Sequence, residues 1–232
     1  MVESDEPETV SELAATTGLP RSTASRLIAA LERQGLVARD GGSIRPGRVL
    51  VTFARRSAPS ADLVSACAPV LERIADATGE TANLAVPALH GVEQLAQRDS
   101  RHFLGSTNWV GRTVPYHASA VGKVFLAYDA VPMPATLEPL TARTIVDRED
   151  LARDLAEIRA TGVATAVEEL EPGLWAVAAP LTGAAGVIGA ISISGPTVRC
   201  HDGLLDEVGK LLVQEASAIS NLLQGNQTRE DQ

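Results

Sequence analysis

The sequence predicts an α+β protein in which a winged helix-turn-helix precedes a linker helix and a larger domain built around one sheet. Three observations predict this order. Two short helical patterns and a hairpin signal fall within residues 9–45, and the formal charge changes sign near residue 56. Beyond residue 80, strand and helix patterns mix without regular βαβ alternation. The predicted boundaries are 1–56 for the winged helix-turn-helix, 57–79 for the linker helix, 80–225 for the C-terminal domain and 226–232 for a disordered tail.

The composition is typical of a globular protein. The chain has 232 residues, of which 45% are hydrophobic and 21% charged. It has no run of about 18 apolar residues, and its first residues are acidic, unlike a secretory signal. We therefore expect a cytoplasmic protein with no membrane association. Cys67 and Cys200 match no metal-ligand spacing, so we expect two buried, reduced thiols.

The charge is distributed unevenly along the chain. The formal net charge is −9, yet residues 19–56 contain eight arginines and only two acids. Residues 57–232 carry 12 basic and 22 acidic side chains. Only the first quarter of the chain is therefore suited to nucleic-acid phosphates.

The first helix of the predicted helix-turn-helix has clear start and stop signals. Thr9 and Glu12 have the spacing of a capping box, which predicts a helix over residues 10–17. Gly18 can adopt the left-handed conformation that ends a helix. Pro20 then suits the first position of the next helix.

The second helix and the hairpin complete the pattern. The positions of Ala24, Leu27, Ile28 and Leu31 predict one buried helix face. Asp40-Gly-Gly42 lies between two short extended segments and indicates a hairpin, the wing. A second helix in this arrangement enters the DNA major groove, with wing arginines at the flanks. The predicted DNA-binding residues are Arg21, Ser22, Thr23, Ser25, Arg26, Arg39, Arg45 and Arg48. The alternative is a helical module that docks a protein partner.

The remaining helices and strands follow from periodicity and turn signals. A helix over residues 60–78 would carry Leu63, Cys67, Leu71 and Ile74 on one side and end at Gly79. The other predicted helices are 120–128, 148–161 and 204–223. The predicted strands are 81–86, 92–97, 163–167, 174–181 and 187–194.

No motif supports catalysis. The Gly122-Lys123 pair lacks the first glycine and the hydroxyl of a phosphate-binding loop, since His117 and Val124 stand there. The four histidines show no ligand spacing. Ser119 lacks the context of a nucleophile, and neighbouring acids such as Glu168-Glu169 are more often solvated. We therefore expect no catalytic residue, no metal site and no cofactor.

Residues 117–127 instead suit anion binding without chemistry. Small residues lead into a helix, which leaves the N–H groups of Ala120, Val121 and Gly122 at the positive end of its dipole. Ser192 and Ser194 alternate with isoleucines, so both hydroxyls should project from one strand face. The alternative, that these serines face water, is equally compatible with the periodicity.

Several motifs together resemble IclR-type bacterial transcription regulators. They are Gly18–Leu27, Leu31–Val37, Thr78–Thr81, Pro115–Lys123, Glu169–Gly173, Ala178–Pro180 and Ser192–Pro196, and they run in one order over nearly the whole chain. The resemblance implies a C-terminal effector-binding domain whose curved antiparallel sheet is similar to GAF and PAS sensors. It also implies homodimers or homotetramers that bind double-stranded DNA at a palindromic operator.

The resemblance further implies a pocket for a small organic or aromatic acid. Its expected lining is Ala120, Val121, Ala166, Ala176, Ser192 and Ser194, and Trp109, Val110 and Trp175 are expected to add apolar walls.

Three departures from the family pattern qualify the expectation. Only eight residues precede Thr9, where family members usually have another helix, so we expect a truncated first helix or a start further upstream. The wing reads Ile44-Arg-Pro-Gly47 instead of the common aromatic-Arg-Leu-Gly. Ala166 stands where some members carry an acidic ligand contact.

The leading hypothesis is a ligand-responsive DNA-binding regulator, a repressor or an activator, without catalytic activity. The alternatives are an enzyme that converts a small acid and a ligand-free interaction module. Either would use the helix-turn-helix for association.

Overall fold

The computed structural model describes residues 8–40, 42–47, 49, 60–102, 108–183 and 186–230. The chain divides into two compact units, residues 1–61 and 62–232. None of the described helices is long and apolar enough to cross a membrane.

The described part of the N-terminal unit includes two helices, α1 (Val10–Thr17) and α2 (Arg21–Arg33). Both halves of the predicted capping box form at the start of α1, and Gly18 ends the helix in the left-handed conformation. Pro20 is the N-cap of α2, one position before its predicted place, because its extended ψ of 137° lies outside the helix.

A small sheet forms the wing. Its strands are β1 (Glu8–Thr9), β2 (Val37–Asp40) and β3 (Ser43–Pro46), in the order β1-β3-β2. Asp40 lies opposite Ser43 in the antiparallel β2–β3 pair, which confirms the hairpin. Strand β1 was not predicted, since two residues are too short for a period-2 pattern.

The buried face of α2 is narrower than predicted. Ala24 and Ile28 are buried, whereas Leu27 and Leu31 are 51% and 41% exposed. In the described part of the unit, α2 packs against α1 and β2. These contacts cover a stripe too narrow to include the two leucines.

The described residues of the C-terminal unit form one sheet and four helices longer than a single turn. In chain order its elements are α3 (Ser60–Thr78), β4 (Thr81–Ala88), β5 (Gly91–Arg98), β6 (Thr113–Val114), α4 (Ala120–Ala127), α5 (Arg148–Thr161), β7 (Ala164–Val167), β8 (Leu174–Gly183), β9 (Gly186–Pro196), a one-turn 3-10 helix (Thr197–Arg199) and α6 (Leu204–Glu230).

The six strands form an antiparallel sheet in the order β6-β5-β4-β9-β8-β7. One face packs against α3 and α6. The other face packs against α4, and α5 packs on α4. The α+β prediction is therefore confirmed.

The linker helix is part of the C-terminal core. Leu63, Cys67, Leu71 and Ile74 of α3 are buried against the sheet, on the side that their spacing predicts. The 3-10 helix is held to the sheet by Arg199, whose guanidinium Nε and Nη2 each lie 2.6 Å from a carboxylate oxygen of the buried Glu80.

The last helix and one cysteine differ from expectation. Helix α6 continues to Glu230, past the predicted end at 223 and into the predicted disordered tail at 226–232. Residues 226–230 contain neither glycine nor proline, so no strong helix breaker ends the helix there. Cys67 is buried, but Cys200 is only half-buried, and both thiols are free.

Candidate functional site

The outward face of α2 carries the predicted DNA-binding side chains. Because Ala24 and Ile28 are buried, the opposite side of the helix faces solvent. Four of the predicted residues are exposed and one, Ser25, is half-buried; the exposed residues are Arg21, Ser22, Thr23 and Arg26. The helix therefore presents two guanidinium groups and two hydroxyls near its N-terminus, a set suited to phosphates and base edges.

The wing arginines differ from one another. Arg39 donates from Nε to Glu32 Oε2 at 3.1 Å, and Glu32 lies on α2. This partly exposed ion pair links the wing strand β2 to α2. Arg45 is exposed on β3. Arg48 lies outside the described residues.

A cavity of about 40 Å³ lies in the C-terminal unit, and seven of the nine predicted effector residues line it. These seven are Trp109, Ala120, Val121, Ala166, Ala176, Ser192 and Ser194. The other lining residues are Asn83, Gln94, Val114, Ser119, Leu170 and Leu174. Sequence reasoning missed these six.

The start of α4 forms one side of the cavity. Ser119 is the N-cap, and its Oγ accepts from the Gly122 N–H at 3.2 Å and donates to the Pro115 carbonyl at 2.7 Å. The Gly122 N–H is therefore not free, contrary to the prediction. The N–H groups of Ala120 and Val121 remain at the helix start, where no helical carbonyl reaches them.

The sheet forms the opposite side of the cavity. In the register Ser192 of β9 lies opposite Asn83 of β4 and opposite Ala178 of β8. Ser194 lies opposite Ala176, which in turn lies opposite Ala166 of β7. These serines share one face, as predicted, and the alanines beside them are too small to fill the space above the sheet.

Two amide side chains in the cavity have oxygens without a partner. Asn83 and Gln94 are 3% and 6% exposed. Among the described residues, Asn83 Oδ1 and Gln94 Oε1 are buried and accept no hydrogen bond. A buried acceptor left in this state costs about 1–3 kcal/mol. The available signal for Asn83 was an amide among the apolar residues Ala82–Val86, whereas Gln94 lies in a strand with other polar residues and has no such signal.

Trp175 and Val110 do not line this cavity. Consecutive strand residues point to opposite faces, so Ala176 in the cavity places Trp175 on the other side. There Trp175 is fully buried and donates from Nε1 to the Pro196 carbonyl at 3.1 Å. Val110 is 47% exposed, and its neighbour Trp109 takes the position at the cavity.

A buried charge cluster lies behind the first turn of α4. Lys123 is 1% exposed, and its Nζ lies 2.8 Å from Glu169 Oε1 and 2.9 Å from Asp154 Oδ2. Burial raises the pKa of the Glu169 carboxyl, and the Lys123 ammonium partly opposes that change. The expectation that Glu169 is solvated is therefore wrong: its carboxylate is buried and ties the β7–β8 connection to α4. Its neighbour Leu170 lines the cavity.

The remaining polar candidates have structural contacts. His117 is buried, and its Nε2 lies 2.9 Å from the Glu138 carbonyl. No group of three or more metal-ligating side chains forms within the described ranges.

Family profiles match both units. Residues 2–41 match the IclR helix-turn-helix domain, and residues 56–221 match the profile described as bacterial transcriptional regulator IclR C-terminal. The chain belongs to the IclR family of bacterial transcriptional regulators. It therefore combines a DNA-binding helix-turn-helix with an effector-binding C-terminal domain, and its relatives are named as regulators, not enzymes.

Two IclR relatives illustrate the similarity in sequence. The HTH-type transcriptional regulator BhcR of Paracoccus denitrificans is 32% identical over 91% of this chain and 79% of its own length. The transcriptional repressor IclR of Escherichia coli is 30% identical over 95% of this chain and 84% of its own.

Two solved IclR structures share the fold. The Thermotoga maritima IclR structure has a TM-score of 0.66 and 26% identity, and the match covers 96% of this chain and 93% of that one. An IclR homologue from Microbacterium hydrocarbonoxydans, complexed with 4-hydroxybenzoate, has a TM-score of 0.64 and 25% identity, with 96% and 94% covered.

Proposed function

We propose that this protein controls transcription by binding a palindromic operator as a homodimer or homotetramer, in the cytoplasm, and that a small organic acid changes its operator affinity. The observation that carries the proposal is the cavity at the start of α4. Seven residues expected from separate sequence segments converge there.

The carboxylate of the acid is proposed to bind at the first turn of α4. The Ala120 and Val121 N–H groups, which no helical carbonyl reaches, and the positive end of the helix dipole favour an anion there. The 4-hydroxybenzoate bound to the Microbacterium homologue is itself a carboxylate, which supports this class of ligand.

The operator is proposed to contact α2 and the wing. Arg21, Ser22, Thr23, Ser25 and Arg26 would read the major groove, while Arg39, Arg45 and Arg48 would contact the flanking backbone or minor groove. Two copies related by a two-fold axis would place two such helices on a palindrome.

Effector control requires a difference in affinity between two states of the protein. An acid that binds one state more tightly shifts the population toward that state and so changes operator affinity.

The direct test is a gel-shift assay of the full-length protein on the promoter beside its own gene, with and without small carboxylates. We expect specific binding that at least one acid changes. Arg26→Ala should weaken binding by about tenfold, which corresponds to about 1.4 kcal/mol. Arg153→Ala, a change at an exposed arginine of α5, is the matched control and should leave affinity unchanged. Absence of specific DNA binding under all these conditions would refute the proposal.

A further inference from the structure

The two sides of the cavity require opposite hydrogen-bonding groups from a ligand. At the start of α4, the Ala120 and Val121 N–H groups need an acceptor. On the sheet, Asn83 Oδ1 and Gln94 Oε1 need donors. A ligand that carried only a carboxylate would satisfy the helix side and leave both amide oxygens unpaired.

The orientation of the Asn83 amide supports this assignment. Asn83 Nδ2 donates to Ser194 Oγ at 3.4 Å, so one of its two N–H groups is used within the protein. The oxygen of the same amide is the atom left without a partner.

Hydroxyl groups of the ligand suit the Asn83 and Gln94 oxygens better as hydrogen-bond donors than an ammonium group does. The lining residues that the structure describes include no aspartate, glutamate, lysine or arginine. A buried ammonium without a carboxylate partner is costly, whereas a neutral hydroxyl satisfies an amide oxygen with less desolvation. Lys123 cannot serve the cavity, because its ammonium is held by Glu169 and Asp154.

The cavity is compact, with a volume of about 40 Å³. A three-carbon acid is the smallest that carries two hydroxyls on separate carbons, and so the smallest that offers one hydroxyl donor to each amide oxygen.

We infer that the cavity selects small carboxylates bearing hydroxyl groups, and that a three-carbon 2,3-dihydroxy acid matches it best. The carboxylate accepts from the N–H groups of α4, and the two hydroxyls donate to Asn83 and Gln94. This inference rests on the proposed function, which places the carboxylate at α4, and adds the residues that set specificity.

A series of acids with equal chain length tests the inference. Propionate, lactate and glycerate carry no, one and two hydroxyls, and their dissociation constants for the full-length protein can be measured by isothermal titration calorimetry. We expect each hydroxyl to tighten binding by about tenfold, as a hydrogen bond to a buried acceptor does. Serine, which replaces one hydroxyl by an ammonium group, should bind more weakly than glycerate.

Two nearly isosteric substitutions identify the residues responsible. Asn83→Leu and Gln94→Met each remove one acceptor, and each should lower the glycerate preference over propionate about tenfold. Asn221→Leu and Gln214→Met, at exposed positions of α6, are the matched controls and should keep the full preference. Circular dichroism checks that each variant is folded. If a variant does not fold, the affinities of the wild-type protein for propionate, lactate and glycerate still test the hydroxyl selectivity.

The outcomes separate this inference from the proposed function. Equal affinity for the three acids, tighter binding of serine, or an unchanged preference in both folded variants would overturn the hydroxyl selectivity while leaving a carboxylate site at α4. Failure of every acid to bind would overturn the carboxylate site as well. Loss of operator binding alone would affect only the proposed regulation.

Discussion

Lys123 is nearly fully buried, and its ammonium nitrogen lies 2.8 Å from a carboxylate oxygen of Glu169 and 2.9 Å from one of Asp154. Removing one member of such a cluster leaves the others buried without compensation, which typically costs about 3–5 kcal/mol. Lys123, Asp154 and Glu169 belong to different segments of the chain. Their attraction therefore offsets the desolvation of the charges only when the C-terminal unit is folded. The sequence around Lys123, a Gly-Lys pair before an apolar run, does not predict this structural role.

Lys123→Met should therefore lower the free energy of unfolding by about 3–5 kcal/mol, measured by urea denaturation. Methionine fills much of the same volume, which isolates the effect of the charge. Arg153→Ala removes an exposed ion pair with Asp150 and should change stability by less than about 0.5 kcal/mol. Equal stability of Lys123→Met and the wild type would show that the cluster is not coupled to folding.

The second residue-scale prediction concerns Cys67. Burial raises the pKa of its thiol to about 12, from 9.0. Between these values the unfolded chain loses the proton while the folded protein keeps it, so the folded state binds more protons and stability falls as pH rises from about 9 to about 12. Cys67→Ala should flatten this part of the stability profile relative to the wild type. An unchanged slope in that variant would contradict the assignment.

At the scale of elements, helices with chemical end signals were the easiest to predict. The helices at 10–17, 60–78 and 148–161 have the predicted limits, because a cap or a glycine marks an end of each. Local sequence determines those ends. The two-residue strands β1 and β6 depend on partners distant in sequence and have no local signal.

The candidate site was predicted in part for the same reason. Ser192 and Ser194 follow from alternation along a strand, and the helix start follows from small residues before an apolar run. The prediction that Trp175 lines the cavity was wrong. It relied on the nearness of Trp175 to Ala176 in sequence, but consecutive residues of a strand point to opposite faces of the sheet. The unpaired oxygens of Asn83 and Gln94 became visible only when the strands and α4 enclosed them.

The start of α4 depends on close packing at Gly122. A Cβ at this position would overlap the Tyr116 carbonyl oxygen and lie 2.5 Å from Tyr116 Cα and 2.7 Å from Ser119 Oγ. These are mainly backbone atoms, so the first turn of the helix would have to move.

Gly122→Ala should weaken acid binding by at least tenfold and cost about 1–3 kcal/mol of stability, measured by calorimetry and urea denaturation. Gly209→Ala is a matched control within α6. Its new methyl group meets the Val163 side chain at 3.0 Å, which can shift, and alanine favours a helix by about 0.8–1 kcal/mol. Wild-type acid affinity in Gly122→Ala would show that the helix start does not hold the ligand.

At the scale of the whole molecule, the two units differ in charge, since basic residues prevail in 19–56 and acidic residues in 57–232. The protein carries a net charge of −9, yet residues 19–56 contain eight arginines and only two acids. Operator binding by that region should release counterions from DNA, so affinity should fall steeply with salt despite the acidic average.

The logarithm of operator affinity should therefore fall linearly with the logarithm of salt concentration, with a slope of about −0.9 for each phosphate contacted. Arg26→Ala should reduce the steepness by about 1 if this guanidinium contacts a phosphate. Arg153→Ala in the acidic unit should not alter it. Fluorescence anisotropy of labelled operator measures both slopes, and affinity independent of salt would exclude a phosphate-dominated interface.

The chain has two tryptophans, and the sheet separates them. Trp109 lines the cavity, and Cζ of Arg112 lies 5.9 Å from the centroid of its ring. Trp175 is fully buried on the opposite face of the sheet. Intrinsic emission thus contains one signal from the ligand side and one from the core. In a Trp175→Phe variant, the remaining indole would act as a built-in optical sensor of cavity occupancy, without any added dye.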